Sequence, residues 1–262
     1  MSGIIKNISS AGFIGSGNVA THLAAALQRA GIKISSVYSP NKINSRAFAD
    51  NFKCKPASHY NDFEDNTELV IISVPDTLVE EICEKLIDND RLYVHTSGIS
   101  SLKALDSKKR TGVFYPLQTF SKGKNINFSK VPLCIEANNP SDSVLLLDLA
   151  KKISGNVSLV ESEQRRTLHL TAVIVNNFSN HLYHLANEIL VLNGLDFNYL
   201  KPLIQETALK INEVHPLDAQ TGPARRNDET TINKHLQMLK NYPDYQYIYK
   251  LFSEQIRKKY HE

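Results

Sequence analysis

Cysteine is scarce in this chain of 262 residues: there are three, Cys54, Cys83 and Cys134, and none lies near another. An odd, scattered set of thiols excludes a disulfide framework and a cysteine zinc site, and it points to a reducing compartment. A cytoplasmic location is expected on that ground. Long hydrophobic runs are also missing. Leu69–Val74, broken by Ser73, and Val144–Leu147 fall far short of the ~20 residues that span a bilayer, so no membrane partner is expected. Met1–Ala20 has no basic start followed by an apolar block, so no secretory leader is expected. Excess charge of one sign is lacking as well. With 30 Lys+Arg against 27 Asp+Glu, the net charge of +3 is too small to make nucleic acid a main partner. Lys108-Lys109-Arg110, Arg165-Arg166, Arg225-Arg226 and Arg257-Lys258-Lys259 read as solvated faces.

What is present is a globular balance, 42% hydrophobic and 22% charged. The first 160 residues alternate strand-like runs with helical patterns. The runs are Ile8–Ile14, Ile34–Ser39, Leu69–Val74, Arg91–His95, Gly112–Tyr115, Leu133–Glu136 and Val157–Val160. The helical patterns are Asn18–Ala30, Ile43–Phe52, Asp76–Ile87 and Ser141–Ile153. Such alternation predicts an α/β domain: a mostly parallel sheet with helices on both faces. Beyond Val160 only helical patterns follow: Glu161–Leu192, Phe197–Val214, Glu229–Leu239 and Tyr245–Lys259. Leu168, Val175, Leu182 and Ile189 recur every seven residues as an apolar seam. We therefore expect a domain over 1–160 and an all-α domain over 161–262.

The segment Gly12-Phe13-Ile14-Gly15-Ser16-Gly17-Asn18-Val19-Ala20 contains G-x-G-x-x-A between the first strand and the first helix. Gly15 permits a tight turn. Gly17 lets backbone approach a pyrophosphate, and Ala20 keeps helix close to strand. The amides of Gly15–Val19 would meet the phosphates of a dinucleotide. An NAD site usually carries an acid at the end of the second strand, accepting from the ribose 2′-hydroxyl. No acid occurs here from Gly31 to Phe48; Ser39, Asn41, Lys42 and Arg46 stand there instead. These donors suit a 2′-phosphate, so the expected cofactor is NADP(H). Val74, Pro75 and Asp76, at the end of a later strand, are expected beside the cofactor, with Asp76 also able to cap the next helix. His95-Thr96-Ser97-Gly98 ends the next strand, where four hydrogen-bonding or flexible residues suit the nicotinamide ribose and substrate; Thr96 is expected at the cofactor and Ser97 among the catalytic residues, the alternative being an ordinary polar turn. Ser9 and Ser10 place hydroxyls in a strand that should be buried, and they require partners.

Gly12–Ala20 with Ile72–Pro75 resembles the N-terminal domains of pyrroline-5-carboxylate reductase and of deazaflavin-dependent NADP oxidoreductase. Three segments resemble one narrower group: His95–Gly98, Tyr115-Pro116-Leu117-Gln118-Thr119-Phe120, and Thr221-Gly222-Pro223 followed by Arg226 and Asp228. Together with His169 and Asn177 they resemble Rossmann-like proteins that carry the C-terminal domain of unknown function DUF2520. The resemblance implies an NADP-binding Rossmann domain, a helical domain of the 6-phosphogluconate dehydrogenase type, and a homodimer formed through it. It supplies no substrate. Tyr115 stands where this group leads us to expect histidine, and Asn227 where it leads us to expect glycine. Val173 occupies the lysine place of the Lys-x-x-x-Asn pair found in the wider dehydrogenase superfamily.

His169, Asn176, Asn177, Asn180, His181 and His184 give the long helix an unusual polar set. His169 is the expected proton donor, since imidazole titrates near neutrality, and Asn177 the group that orients a carbonyl or imine. The competing reading places these residues at a helix or dimer contact. Gln118, Thr221 and Arg226 are the expected substrate residues. For Arg226 the alternative is a structural pair with Asp228, which would cap the next helix. His181 and His184, with Glu188 beyond, lack an accompanying metal motif, so no metal is expected. The sequence thus reads as an oxidoreductase passing hydride between nicotinamide and a small carbonyl, imine or hydroxy compound in an interdomain cleft. A non-catalytic NADP(H)-binding protein and a structural dimer are the alternatives.

Overall fold

The computed structural model of the chain describes residues 7–261. Its short β-branched runs form one eight-stranded sheet, in the order β3-β2-β1-β4-β5-β6-β7-β8. The strands are β1 (Ser10–Ile14), β2 (Lys33–Tyr38), β3 (Lys55–Pro56), β4 (Leu69–Ile72), β5 (Leu92–His95), β6 (Thr111–Pro116), β7 (Leu133–Ala137) and β8 (Val157–Leu159). All neighbours run parallel except β6 and β7. Ile14 sits opposite Tyr38 on one side and Ile72 on the other, and Ile72 opposite His95. That register brings the carboxyl ends of four strands to one edge, where open α/β sheets bind ligands.

Both faces of the sheet are covered, so the central strands are almost continuously apolar. On one face α1 (Asn18–Arg29) buries Ala20, Leu23, Ala24 and Leu27, and α4 (Pro140–Lys151) buries Leu145, Leu146 and Leu149. Helix α2 (Lys42–Phe52) adds Phe48 and Phe52. On the other face α3 (Val79–Lys85) packs Val79 and Cys83 against Val70, Ile72 and Tyr93. The serine hydroxyls of the first strand find partners beside β4: Ser9 donates to Glu68 Oε2 at 2.8 Å, and Ser10 donates to the Asn66 carbonyl. The two-residue strand β3 was not visible in the sequence pattern.

The last strand ends at Leu159, and the rest is helical. By packing, the chain forms two compact units, one reaching Asn177 and one beginning at Phe178. The first unit thus includes α5 (Ser162–Ala172). The expected uninterrupted helix Glu161–Leu192 is broken by a π-helical turn over Val173–Phe178, after which α6 (Ser179–Leu192) follows. Along the seven-residue seam Leu168 packs against Tyr115 and Cys134, whereas Val175, within the π turn, is 71% exposed. The second unit continues with α7 (Lys201–Lys210), α8 (Pro216–Ala219), α9 (Glu229–Met238) and α10 (Pro243–His261). Among the described residues, no helix is long and apolar enough to cross a membrane.

Candidate functional site

The glycine loop has the backbone that its sequence demands. Gly15 sits at φ +102°, and a Cβ there would lie 2.0 Å from the Ser73 carbonyl oxygen, so no other residue fits. Gly17 opens α1, and nothing lies within 4 Å of where its Cβ would be. Ser16, Gly17, Asn18 and Val19 therefore lead into a helix start that no side chain caps and that has no acid in its first turn. Such an end presents amides and a positive partial charge to an anion. The Asn18 side chain is occupied elsewhere: its Nδ2 donates to the Phe120 carbonyl at 3.0 Å. His22 Nε2 lies 3.1 Å from the Ser121 carbonyl, so α1 holds the loop after β6 at two points.

At the end of β2 a cavity of about 730 Å³ is lined by Ser39, Lys42 and Arg46, together with Tyr38, Ser45, Asp50 and Ser58. Three of the four residues expected at a 2′-phosphate come together here. Asn41 does not: its Oδ1 accepts from the Asn44 amide at 3.0 Å and caps α2. An anionic group would face Lys42 and Arg46, with Asp50 a turn further along the helix. The donor set fits a phosphate and suits a bare ribose hydroxyl less well.

A second cavity, of about 800 Å³, lies at the carboxyl ends of β1, β4 and β5. Gly17, Asn18, Val19, Val74, Pro75, Asp76, Thr96, Ser97, Gln118, His169 and Asn177 all line it, and all belong to the first unit. Asn176, Tyr115 and Leu168 line it too. Asp76 caps no helix, contrary to expectation: Pro75 precedes the short 3-10 turn Asp76–Leu78, and no side-chain cap is made there. Its carboxylate is exposed toward the cavity. Thr96 Oγ1 donates to Ser73 Oγ at 3.2 Å. Ser97 Oγ accepts from the amides of Ile99 and Ser100, at 3.2 and 2.9 Å, which leaves its hydroxyl proton for a ligand. Gln118 Oε1 accepts from the Thr119 amide at 2.8 Å, leaving its NH₂ group free to donate. Asn176 Nδ2 donates to Asn177 Oδ1 at 3.3 Å.

His169 is fixed from two sides. Its Nδ1 lies 3.1 Å from Tyr115 Oη. A Cβ at Gly98 would come within 2.5 Å of His169 Nδ1 and 2.9 Å of Tyr115 Cζ, so glycine is required beneath the pair. Burial pushes the Tyr115 phenol up to about 12, with the charges of Cys134 and Asp76 raising it further and Arg165 opposing.

Arg165 was read from the sequence as part of a solvated basic face, and the structure corrects this. It is fully buried, one helical turn before His169. It pairs with Glu136 on β7 and donates to the Ser100 carbonyl at 2.6 Å, while Ser162 Oγ donates to Glu136 Oε2 at 2.9 Å. The pair ties α5 to the sheet and to the Ser97–Ser100 loop. Beside it His95 is also fully buried, and its Nδ1 accepts from the Ser97 amide at 3.1 Å. Burial, and then the Arg165 charge, push the His95 imidazole down to about 3. Arg110 is likewise no free surface charge, since it pairs with the buried Asp142. Nothing in a run of two arginines tells which faces inward; the answer lies with Glu136, distant in sequence.

Thr221 and Arg226 belong to the second unit and do not line either cavity. Asp228 caps α9, accepting from the Thr231 amide at 3.0 Å. Asn227 adopts φ +57°, the left-handed conformation that explains why glycine is expected there. In the same unit His184 Nε2 lies 3.5 Å from Glu188 Oε2, and Tyr245 Oη donates to that oxygen at 2.6 Å.

Residues 10–97 match the family described as NADP oxidoreductase, coenzyme F420-dependent, and residues 131–256 match the domain of unknown function DUF2520. The chain is 38% identical to a protein of Bacteroides fragilis described as a candidate NADP oxidoreductase. That comparison covers 97% of this chain and 100% of the other, with a TM-score of 0.88. A Thermotoga maritima protein is 22% identical over 96% of this chain and 100% of its own, with a TM-score of 0.81. The 1-pyrroline-5-carboxylate reductase of Streptococcus pyogenes shares the fold at 14% identity and a TM-score of 0.64, over 95% of this chain and 98% of its own. No curated protein matches the sequence.

Proposed function

Because the chain belongs to the NADP oxidoreductase family that carries the DUF2520 domain, we propose that it transfers hydride between NADP(H) and a small carbonyl, imine or hydroxy compound. The observation that carries this reading is the pair of cavities on one sheet edge. One holds the open helix start after Gly15, and the other gathers Ser39, Lys42 and Arg46. The amides of Gly15–Val19 would hold the pyrophosphate. Lys42 and Arg46 would hold the 2′-phosphate, and Val74, Pro75, Asp76 and Thr96 would flank the ribose and nicotinamide. The cofactor, when bound, supplies the hydride chemistry. In this reading His169 gives or takes the proton, Asn177 orients the substrate oxygen or nitrogen, and Ser97 and Gln118 donate to the substrate. Arg226 and Thr221 lie in the second unit, outside both cavities; the Arg226 guanidinium is a group suited to a carboxylate. A homodimer through the helical domain completes the proposal.

Titration with NADPH and NADH, followed by nicotinamide fluorescence, tests the cofactor reading. Each charge-assisted hydrogen bond contributes ~1.5–3 kcal/mol. The Lys42→Ala, Arg46→Ala double variant should therefore lose on the order of 10²-fold in NADPH affinity while NADH binding changes little. Equal losses for both cofactors would remove the two side chains from the 2′-phosphate. Transfer of label from deuterated cofactor to product separates an enzyme from a protein that only binds the dinucleotide.

A further inference from the structure

We propose that Tyr115 is a positioning residue that holds His169 in the tautomer protonated at Nε2, so that the cavity is offered an N–H donor; this rests on the reading of His169 as the proton-transfer group. Three observations converge. Tyr115 Oη lies 3.1 Å from His169 Nδ1, which is its hydrogen-bond partner among the described residues. Tyr115 is a buried residue of β6, while His169 is half-buried on α5 and lines the 800 Å³ cavity. Gly98 lies beneath the Nδ1 edge of the imidazole, where even a methyl group would collide with it. The Nδ1 edge is thus committed to Gly98 and Tyr115, and Nε2 is the nitrogen left for the cavity.

The direction of the hydrogen bond follows from supply. A buried phenol has one proton to give, and leaving it unpaired forfeits a hydrogen bond. Donating that proton to Nδ1 satisfies the phenol and fixes the neutral imidazole with its own proton on Nε2. The opposite arrangement, with Nδ1–H donating to the phenol oxygen, strands the phenolic proton and turns a bare Nε2 to the cavity. The raised phenol pKa means that Tyr115 keeps its proton across any ordinary pH, so the donor persists. The groups facing the pair are Asp76, which lines the cavity, Cys134 of β7, and Arg165, a turn earlier on α5. Which ring nitrogen of a histidine carries the proton is set by the hydrogen bond that the other one makes.

Long-range proton–nitrogen correlation spectra of the ¹⁵N-labelled full chain read the tautomer directly, with assignment by His169→Gln. In the wild type with a neutral imidazole we expect the His169 proton on Nε2. In Tyr115→Phe, which keeps the ring and loses the donor, the ratio of the two tautomers should fall about fivefold, the equivalent of ~1 kcal/mol. A wild-type imidazole protonated at Nδ1, or a ratio unchanged in Tyr115→Phe, would overturn the proposal, and the first of these needs no variant to fold. Adding NADPH to the same samples separates this inference from the functional reading. A His169 resonance that NADPH leaves unmoved counts against the functional reading while the tautomer result stands on its own. A resonance that moves with the wrong tautomer overturns only the role given to Tyr115.

Discussion

At the scale of single residues, His95 makes the most direct solution prediction. Its imidazole is buried and held neutral down to about pH 3, whereas the unfolded chain protonates it near 6.5. Below 6.5 the unfolded state binds a proton that the folded state refuses. The stability owed to a neutral His95 is therefore complete above that pH and is lost as pH falls toward 3. The loss approaches ~1.4 kcal/mol per pH unit well below 6.5. Urea midpoints of the wild type should drop between pH 6.5 and 5, and those of His95→Asn should drop less; parallel curves would show that His95 is not the group involved. The same cluster predicts a cost for breaking the Arg165–Glu136 pair. Glu136→Gln leaves a buried guanidinium without its countercharge, so a loss of roughly 3–5 kcal/mol is expected in denaturant unfolding. The inward-facing Arg165 could not be singled out from the sequence. Arg165 resembles its half-buried neighbour Arg166 in every local respect, and only the return of β7 past α5 distinguishes them.

Elements were more legible than residues. The seven strand-like runs all became strands, because apolar runs of that length in alternation with amphipathic helices have few other ways to bury themselves. The glycine loop could be read in full, since its geometry is dictated by two backbone positions within nine residues. What could not be read was set by distant partners. The antiparallel pairing of β6 with β7, the brief strand β3 and the π turn over Val173–Phe178 leave no periodic trace. The turn before α9 is an intermediate case. Asn227 was noted as standing in a glycine's place, and its left-handed φ supplies the reason. Asn227→Gly should leave stability unchanged, while Asn227→Ala should cost ~1 kcal/mol, because alanine lacks the side-chain hydrogen bonds that let asparagine tolerate this region. Matched urea melts of the two variants would expose an error in that assignment if they coincided.

For the whole molecule, the contrast between the two units bears on assembly. From Phe178 onward, among the described residues, only Ala224, Ile232 and Ser253 are buried. Leu192, Leu195, Leu203, Leu209, Ile211 and Phe252 are exposed in the single chain. Helices that leave so much apolar area in water gain little from folding alone, since burial of such area is the main favourable contribution. The proposed homodimer would cover it. Sedimentation at micromolar concentration should give twice the chain mass, and thermal stability should rise with protein concentration. A monomer whose melting is independent of concentration would leave the exposed leucines without a physical rationale.

The three scattered cysteines turn the chain into its own opening clock. Cys83 and Cys134 are buried, and burial raises both thiols. Cys54 is half-buried and pushed up to about 11. None offers a ready thiolate to an alkylating reagent near neutral pH: modification of the buried Cys83 and Cys134 waits for excursions from the native state, and that of half-buried Cys54 is slowed. The three positions sample different regions: Cys54 follows α2, Cys83 lies in α3 against one face of the sheet, and Cys134 sits in β7 beside Tyr115. Peptide-resolved alkylation rates would then report separately on loosening next to the proposed 2′-phosphate pocket and next to the imidazole, without any introduced label.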